Sequence, residues 1–598
     1  MKTSTHTRSG VLVAMIALVI IALQGASIAL TVTTNKDNAP SDPLIAGSLR
    51  WAIVNTPAYG LVDFSASLKG KTIALKGGQL VVNKPMNIRG LGSGNLTVSG
   101  NNASRVFYVS GTGSVANPQG VIISDLTVTK GNAAGADLSG FGNDANGGAI
   151  HNVGTLQLLR VSVTGNSAAL GSGGGIYNRG TLNAATECTV SYNSAGQSGG
   201  GIFDEQDLTV VRSAIFNNIA GGDGGGMQEA GTANLINTTV ANNRAAGYGG
   251  GIFDSGGATL KTYNATIAGN TAAVGGGLAT LPFFVASWEL RNTLVGDNTA
   301  PDSPDVGNFF GSQISQGFNL IENTSGAGAG SFLPSDKLGV DAKLGPLQNN
   351  GGPTLTMALL PGSPAIDAGS NANLLRGMIS DQRGFMARVI NGGISATVDI
   401  GAYEYATAKA LKQDAIDELT PCLGSADRRV VRDVRCAIRS IQVSLTARLW
   451  LGETRVGKCG ELVFEYEEDA AYSLQRLLCY ATDPVCLQAV QNAIEDLLLA
   501  DEQLAVAEMD ASASCKDGAN WLRRAAQELA KARASAAKQQ YKDAIEYYEH
   551  AWQYARKACN ISTGDDDSHR EREHLDREDH DRWGAEDRCG GDDDEERR

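Results

Sequence analysis

The sequence predicts an all-β parallel β-helix solenoid, followed by a smaller α-helical domain and a disordered acidic tail. Three observations carry this. A glycine-rich unit recurs six times: GGAI at Gly147–Ile150, GGGI at Gly173–Ile176 and Gly199–Ile202, GGGM at Gly224–Met227, GGGI at Gly249–Ile252 and GGGL at Gly275–Leu278. Its closing apolar residues lie 26, 26, 25, 25 and 26 apart. An asparagine keeps the same period, at Asn166, Asn193, Asn218, Asn243, Asn270 and Asn298. Three residues before each stands a β-branched aliphatic: Val163, Val190, Ile215, Val240, Ile267 and Val295. Short β-type runs repeated at this length and broken by Gly and Asn turns are what a stacked solenoid requires.

Each unit divides into about three short strands per turn. With coils spaced roughly 4.8 Å apart, equivalent residues fall one above another. Val163 to Val295 then form an interior column, and the asparagines form a ladder that satisfies backbone groups of their own and neighbouring coils. Cys188 is in phase with Val161 and reads as a small core residue. Before the repeats, strands are expected near Val62–Phe64, Thr72–Leu75, Leu80–Val82, Asn87–Gly90, Leu96–Gly100, Arg105–Val109 and Val121–Val128, with turn signals between them. The stretch Leu30–Asn55 reads as a strand and a short amphipathic helix whose Leu49, Ile53 and Val54 cover the open end, since a bare β-edge invites association. A loop is inserted at Ala133–Asn146.

The first residues read as an export signal. Lys2 and Arg8 precede an apolar run from Val11 to Leu23, and small residues at Ser27 and Ala29 suit cleavage after Ala29. That run is too short to span a bilayer comfortably, and no second hydrophobic span follows. Eight of the nine cysteines lie beyond Pro421, which fits an exported chain with a stapled C-terminal domain. A net charge of −14 argues against nucleic-acid binding, where a basic surface must displace counterions. No glycine triplet is followed by the Lys-Ser/Thr that a phosphate-cradling loop needs.

Beyond Ala406 glycine becomes rare and helical spacing takes over. Helices are expected near Ala408–Glu418, Asp427–Leu451, Glu461–Tyr480, Pro484–Met509, Asn520–Ala536 and Tyr541–Ala558. The last pair reads as a hairpin with Tyr541, Ile545, Tyr548, Trp552 and Ala555 on one stripe. From Gly564 the tail holds sixteen acids and seven arginines with almost nothing apolar, so disorder is expected. The expected organisation is a signal at 1–29, a β-helix with its N-terminal cap at 30–320, a C-terminal cap at 321–405, a Cys-containing helical domain at 406–560 and the tail at 561–598.

Several motifs resemble those of bacterial and archaeal exported proteins. LTVTTNKD…GSLRWAI looks like the N-terminal motif of secreted β-helix proteins known for a C-S-L-R-E-A signature, although here the Cys and Glu are absent. The GGGI…GN-S/T-A units are similar to the repeats of polymorphic outer-membrane proteins, without their F-x-x-N companion. LGPLQNNGGPTLTMALLPGSPAIDAGS, DQRGF and DIGAYEY, within Leu344–Tyr405, resemble the choice-of-anchor Q domain. Together the resemblances cover about Leu30–Tyr405. They imply an all-β right-handed parallel β-helix solenoid in a secreted or cell-surface setting, often adhesin-like, and carry no catalytic residues.

Two columns are candidate sites. Two residues after each closing apolar residue stand Asn152, Asn178, Asp204, Glu229 and Asp254. Acids on successive coils would lie roughly 5 Å apart and repel unless a cation or a proton sits among them. Asp204, Glu229 and Asp254 could therefore replace Asn on a solvated turn, ligate calcium, or supply the paired carboxylates of sugar hydrolysis with Glu205 and Asp207 nearby. The adjoining column, His151, Tyr177, Phe203, Gln228 and Phe253, offers a sugar-stacking platform if it faces outward and an aromatic stack if it packs. Lyase chemistry also needs a cationic base, and Arg160, Arg179, Arg212 and Arg244 are too scattered in the repeat to assign one to that job. Asp367, Asp381, Arg383, Asp399 and Glu404 are expected to tie turns of the C-terminal cap.

The preferred expectation is a non-enzymatic, adhesin-like or structural surface protein whose partner is a polysaccharide or an envelope component. The alternative is a polysaccharide lyase or glycoside hydrolase using the acid column. A third reading makes the helical domain a docking element that retains the chain at the envelope.

Overall fold

The computed structural model describes residues 29–113, 120–133, 145–255, 257–281, 287–307, 314–328, 330–350, 352–376, 378, 380–384, 397–452, 454–515 and 518–559. The expected signal up to residue 28, most of the loop at Ala133–Asn146 and the expected tail lie outside these residues. The chain divides into two compact units, with the change at Tyr405/Ala406.

The first unit is a parallel β-solenoid of about nine turns. Among the described residues its strands form a 19-stranded, a 9-stranded and a short 4-stranded parallel sheet. Register keeps the repeat in phase. Ile150, Ile176, Ile202, Met227, Ile252 and Leu278 pair in sequence down one sheet. Val163, Val190, Ile215, Val240, Ile267 and Val295 pair down another. Both columns belong to one continuous apolar core, with Cys188 inside it. Every coil thus buries its apolar residues against the coils above and below, which is why no single repeat could fold alone.

The corners explain the polar punctuation. One corner is a column of left-handed residues, Asp125, Arg160, Glu187, Arg212, Asn237, Asn264 and Asn292, at φ between 47° and 57°. A second holds Lys130, Gly165, Tyr192, Asn217, Asn242, Gly269 and Asp297 at 50–67°. The third holds the first glycine of each triplet, from Gly147 to Gly275, at 62–67°. Only Gly enters this region without cost, and Asn and Asp tolerate it better than most. The second glycine of the triplet answers a different need: a Cβ on Gly200 would sit 2.4 Å from the carbonyl oxygen of Gly225 in the next coil.

Just past the second corner runs the asparagine ladder. Asn193 Nδ2 donates to Asn218 Oδ1 at 3.0 Å and to Val163 O at 3.0 Å, and its backbone N–H donates to the same Asn218 Oδ1. Asn166, Asn218, Asn243 and Asn270 repeat this geometry. The ladder starts at Gly131 N–H, which Asn166 Oδ1 accepts, and ends on Asp305 Oδ1, which accepts from Asn298 Nδ2 at 2.9 Å.

At the N-terminal end, helix α1 (Leu49–Asn55) is capped by Ser48, whose Oγ accepts from Trp51 N–H. Leu49 and Ile53 enter the core as expected, but Val54 is 54 % exposed and Ala52 takes the third buried place. One residue further along a helix turns a side chain by about 100°, which carries Val54 off the packed stripe. Arg50 anchors the region through Asp37 at 2.9 Å on both nitrogens used, and Asp37 also accepts from Lys76 and Gly77 N–H.

The segment from Leu344 to Tyr405 contacts the side of the coils at several levels. It opens with an antiparallel pair, Leu344–Gln348 with Thr356–Leu359. It then lies along the first left-handed corner. Thr354 Oγ1 donates to Arg212 O, Asn237 Nδ2 to Ser380 O, Asn264 Nδ2 to Asp399 O and Asn292 Nδ2 to Ser370 O. Within it, buried Arg383 pairs with Asp381 at 2.7 Å, donates to Glu404 O and stacks over Tyr403. Asp399 accepts from Asp367 and Tyr405 N–H. Asp381, Arg383, Asp399 and Glu404 tie turns through their side chains, as their positions suggested, and Asp367 joins them through its backbone N–H.

The second unit is helical. Its helices are α2 (Ala408–Leu419), α3 (Arg428–Ser444), α4 (Glu461–Tyr480), α5 (Pro484–Ser512), α6 (Ala519–Ala537) and α7 (Tyr541–Ala558). Expected and observed spans differ by a few residues at most except for α3, which stops at Ser444; the remainder of the expected span is a short 3₁₀ turn at Ala447–Leu449. In α7, Ile545, Tyr548, Trp552 and Ala555 are buried on one stripe. Disulfides join Cys422 to Cys486 and Cys515 to Cys559. Among the described residues no helix is long and apolar enough to cross a membrane.

Candidate functional site

The two candidate columns share the strands Ile150–Asn152, Ile176–Asn178, Ile202–Asp204, Met227–Glu229, Ile252–Asp254 and Leu278–Thr280. Side chains in a strand alternate, so the first and third residues of each share a face. The first residues are core aliphatics, and the third residues follow them inward. Asp204 and Glu229 are 0 % exposed and Asp254 is 1 % exposed. The column is therefore not a solvated turn. It is a polar strip inside the coil stack, because the triplet glycines, not the acids, make the corner.

Inside that strip hydrogen bonds run from Asn152 to Asp204 in chain order. Asn152 Nδ2 donates to Asn178 Oδ1 at 2.6 Å, and Asn178 Nδ2 donates to Asp204 Oδ1. Asp204 and Glu229 pair in register on adjacent strands, and Asp204 Oδ2 and Glu229 Oε2 are buried without a hydrogen-bond partner. Glu229 Oε1 accepts from Gly231 N–H at 2.6 Å, and Asp254 Oδ2 accepts from Trp288 Nε1–H at 2.7 Å. Burial pushes the Asp204 carboxyl up to about 6, partly offset by the Asn178 amide. Burial, reinforced by the charge of Asp204, holds Glu229 well above the ordinary carboxyl range. Neighbouring carboxyls in a dry interior disfavour double ionisation, so the pair holds a proton more readily than either acid would in water. Among the described residues no group of three or more His, Cys, Asp or Glu is arranged to hold a metal ion.

The second residues of these strands lie on the opposite face. His151, Tyr177 and Phe253 are nonetheless buried there, while Phe203 is partly exposed. Tyr108 meets His151 edge-on at 5.4 Å, His151 meets Tyr177 edge-on at 5.1 Å, and Tyr177 stacks on Phe203 at 5.1 Å. Tyr177 O–H donates to Glu205, which also pairs with Arg179 at 3.0 Å. The rings spend their faces and edges mainly on each other.

The arginines are more ordered than their spacing suggested. Arg160 and Arg212 stand in the same left-handed corner column, on either side of Glu187. Arg160 pairs with Asp125 at 2.6 Å and reaches Glu187 at 3.9 Å, while Arg212 pairs with Glu187 from the other coil. This corner ion ladder was hidden because each member must be compared with the residue one coil away, not with its neighbours in sequence. The Trp288–Asp254 contact was likewise out of reach: Asp254 fits the repeat, but the strand holding Trp288 follows an irregular insertion.

Coil register, the asparagine ladder and the internal acid strip define this chain as a parallel β-solenoid protein carrying a helical C-terminal region. No family model, no curated protein and no solved structure matches it.

Proposed function

We propose that this chain is an exported, non-enzymatic β-solenoid that acts by presenting a long regular flank, in a structural or adhesive role toward glycans at the cell surface or outside the cell. One observation carries the reading: the acids that could have done chemistry are buried inside the coils. Asp204, Glu229 and Asp254 have no surface from which to flank a glycosidic bond, which two reacting carboxylates must do. The outer flank is free to work instead. Ser167, Ser194, Ile219 and Arg244 stack in register on the short sheet, beside Tyr192, which is 61 % exposed and edge-on to Phe216 at 5.8 Å. Groups repeating at the coil spacing suit an extended polymer, where several weak contacts add. The Cys422–Cys486 and Cys515–Cys559 disulfides support an oxidising location.

The test is a screen of the chain from Leu30 onward against acidic and neutral polysaccharides, with and without calcium, reading binding and new chain ends. Saturable binding without new ends, weakened by Tyr192→Ala, is the expected result. New ends that disappear in Asp204→Asn would overturn the proposal in favour of an enzyme. Absence of both signals would remove the glycan from it.

A further inference from the structure

The helical unit buries a lysine completely. Lys412 on α2, Glu467 on α4 and Asp501 on α5 have side chains 0 % exposed. Lys412 Nζ donates to Asp501 Oδ1 at 3.0 Å and to the Glu467 carboxylate. Ser444 Oγ at the end of α3 donates to Glu467 Oε1 at 2.6 Å. The Trp450 ring stands 5.7 Å from Nζ and its Nε1–H is held by Ser444 O at 2.7 Å. An amine, an acid and a second acid are thus fixed in one dry pocket formed by four stretches of chain.

We propose that Lys412 Nζ and Asp501 Cγ condense into an intramolecular amide bond, with Glu467 passing the proton. Burial and the neighbouring Glu467 charge push Asp501 well above the ordinary carboxyl range against the pull of Lys412, which favours the neutral acid, the form an amine can attack and from which the reaction starts. Burial disfavours the Lys412 ammonium, but Asp501 and Glu467 outweigh it and keep the amine protonated at rest. Reaction begins when the ammonium gives one proton to Glu467. The freed lone pair attacks Cγ, the C–N bond forms, and the acid hydroxyl departs as water with a proton from Glu467. The second amine proton then returns to Glu467, which ends as a neutral acid beside the new amide. No oxidant or activating co-reactant is required, and no net charge is left in the pocket.

Three physical effects favour the bond. Three packed helices hold the reacting atoms as neighbours, which replaces an encounter between molecules by an effective concentration of about 10⁵ M or more. The pocket also excludes water, which opposes the reverse hydrolysis. Condensation removes a charged pair whose burial is otherwise costly. The link would close α2 to α5 across 89 residues and enclose the Cys422–Cys486 disulfide.

The experiment is peptide mapping by mass spectrometry of the folded full chain after disulfide reduction. The expected result is one branched species joining the Lys412 and Asp501 peptides, lighter than their sum by one water. In Glu467→Gln the two peptides should separate at full mass while circular dichroism still reports helix. Separate, uncondensed Lys412 and Asp501 peptides from the folded wild-type chain would overturn the proposal, whatever the variant does. A cross-link that persists in Glu467→Gln would overturn the role given to Glu467.

Discussion

Asn193 and Asn218 occupy the same corner of successive coils, and a single oxygen, Asn218 Oδ1, accepts both the backbone N–H and the side-chain Nδ2–H of Asn193 at 3.0 Å. Asn218 in turn donates to Val190 O and to Asn243 Oδ1, so one side chain closes four hydrogen bonds across three coils. Asn218→Ala should therefore cost about 3 kcal/mol or more, since buried donors and acceptors are orphaned together. Urea unfolding of the solenoid measures this. A loss below about 1 kcal/mol would mean that water replaces the amide.

Asp204→Asn should stabilise the solenoid, and more so at high pH. Folding raises the Asp204 carboxyl from 3.8 to about 6, so the folded chain binds more protons than the unfolded one between those values. Stability is then lost as pH climbs through that window and stays lost above it. Asparagine carries no such penalty and can donate to Glu229 as Asn152 does to Asn178. The gain should be near zero at pH 4 and on the order of 2 kcal/mol at pH 8. Unfolding midpoints at the two pH values read it, and an equal gain at both would refute the protonation account.

Gly200→Ala and Gly94→Ala should behave oppositely. A Cβ at 200 meets Gly225 O at 2.4 Å and Ile219 C at 2.6 Å, both backbone atoms that cannot turn aside, whereas a Cβ at 94 meets nothing within 4 Å. The first should lower stability by about 3 kcal/mol, at the upper end for overpacking, or prevent folding. The second should leave the melting temperature essentially unchanged. Equal tolerance would show that the coils can spread locally.

Removing the Cys515–Cys559 bridge should loosen α6 and α7 more than the solenoid. The bridge spans 44 residues, and closing a loop of that length restricts the unfolded chain by about 4 kcal/mol in the entropic model. A paired Cys515→Ser, Cys559→Ser chain should show faster amide exchange in those helices with the solenoid core unaltered. Unchanged protection there would place their stability in the buried stripe of Ile545, Tyr548 and Trp552 instead.

The solenoid, its period and most of its core are legible in the residues alone, because a repeat that stacks on copies of itself writes its contacts into its spacing. Val163, Val190 and Ile215 touch because they stand one coil apart, and the asparagine ladder was legible for the same reason. Helices α2 to α7 were legible from their own periodicity. Packing settles the rest: the side on which each repeating residue falls and what crosses the repeat. Spacing alone could not tell that Asp204 and Glu229 point into the dry interior, because a period fixes neighbours along the stack and leaves the facing to the corner glycines. Nor could it bring Ser380 and Asp399 to Asn237 and Asn264, or Lys412 to Glu467 and Asp501. Those pairings join segments with no common period, and they exist only once the chain has packed.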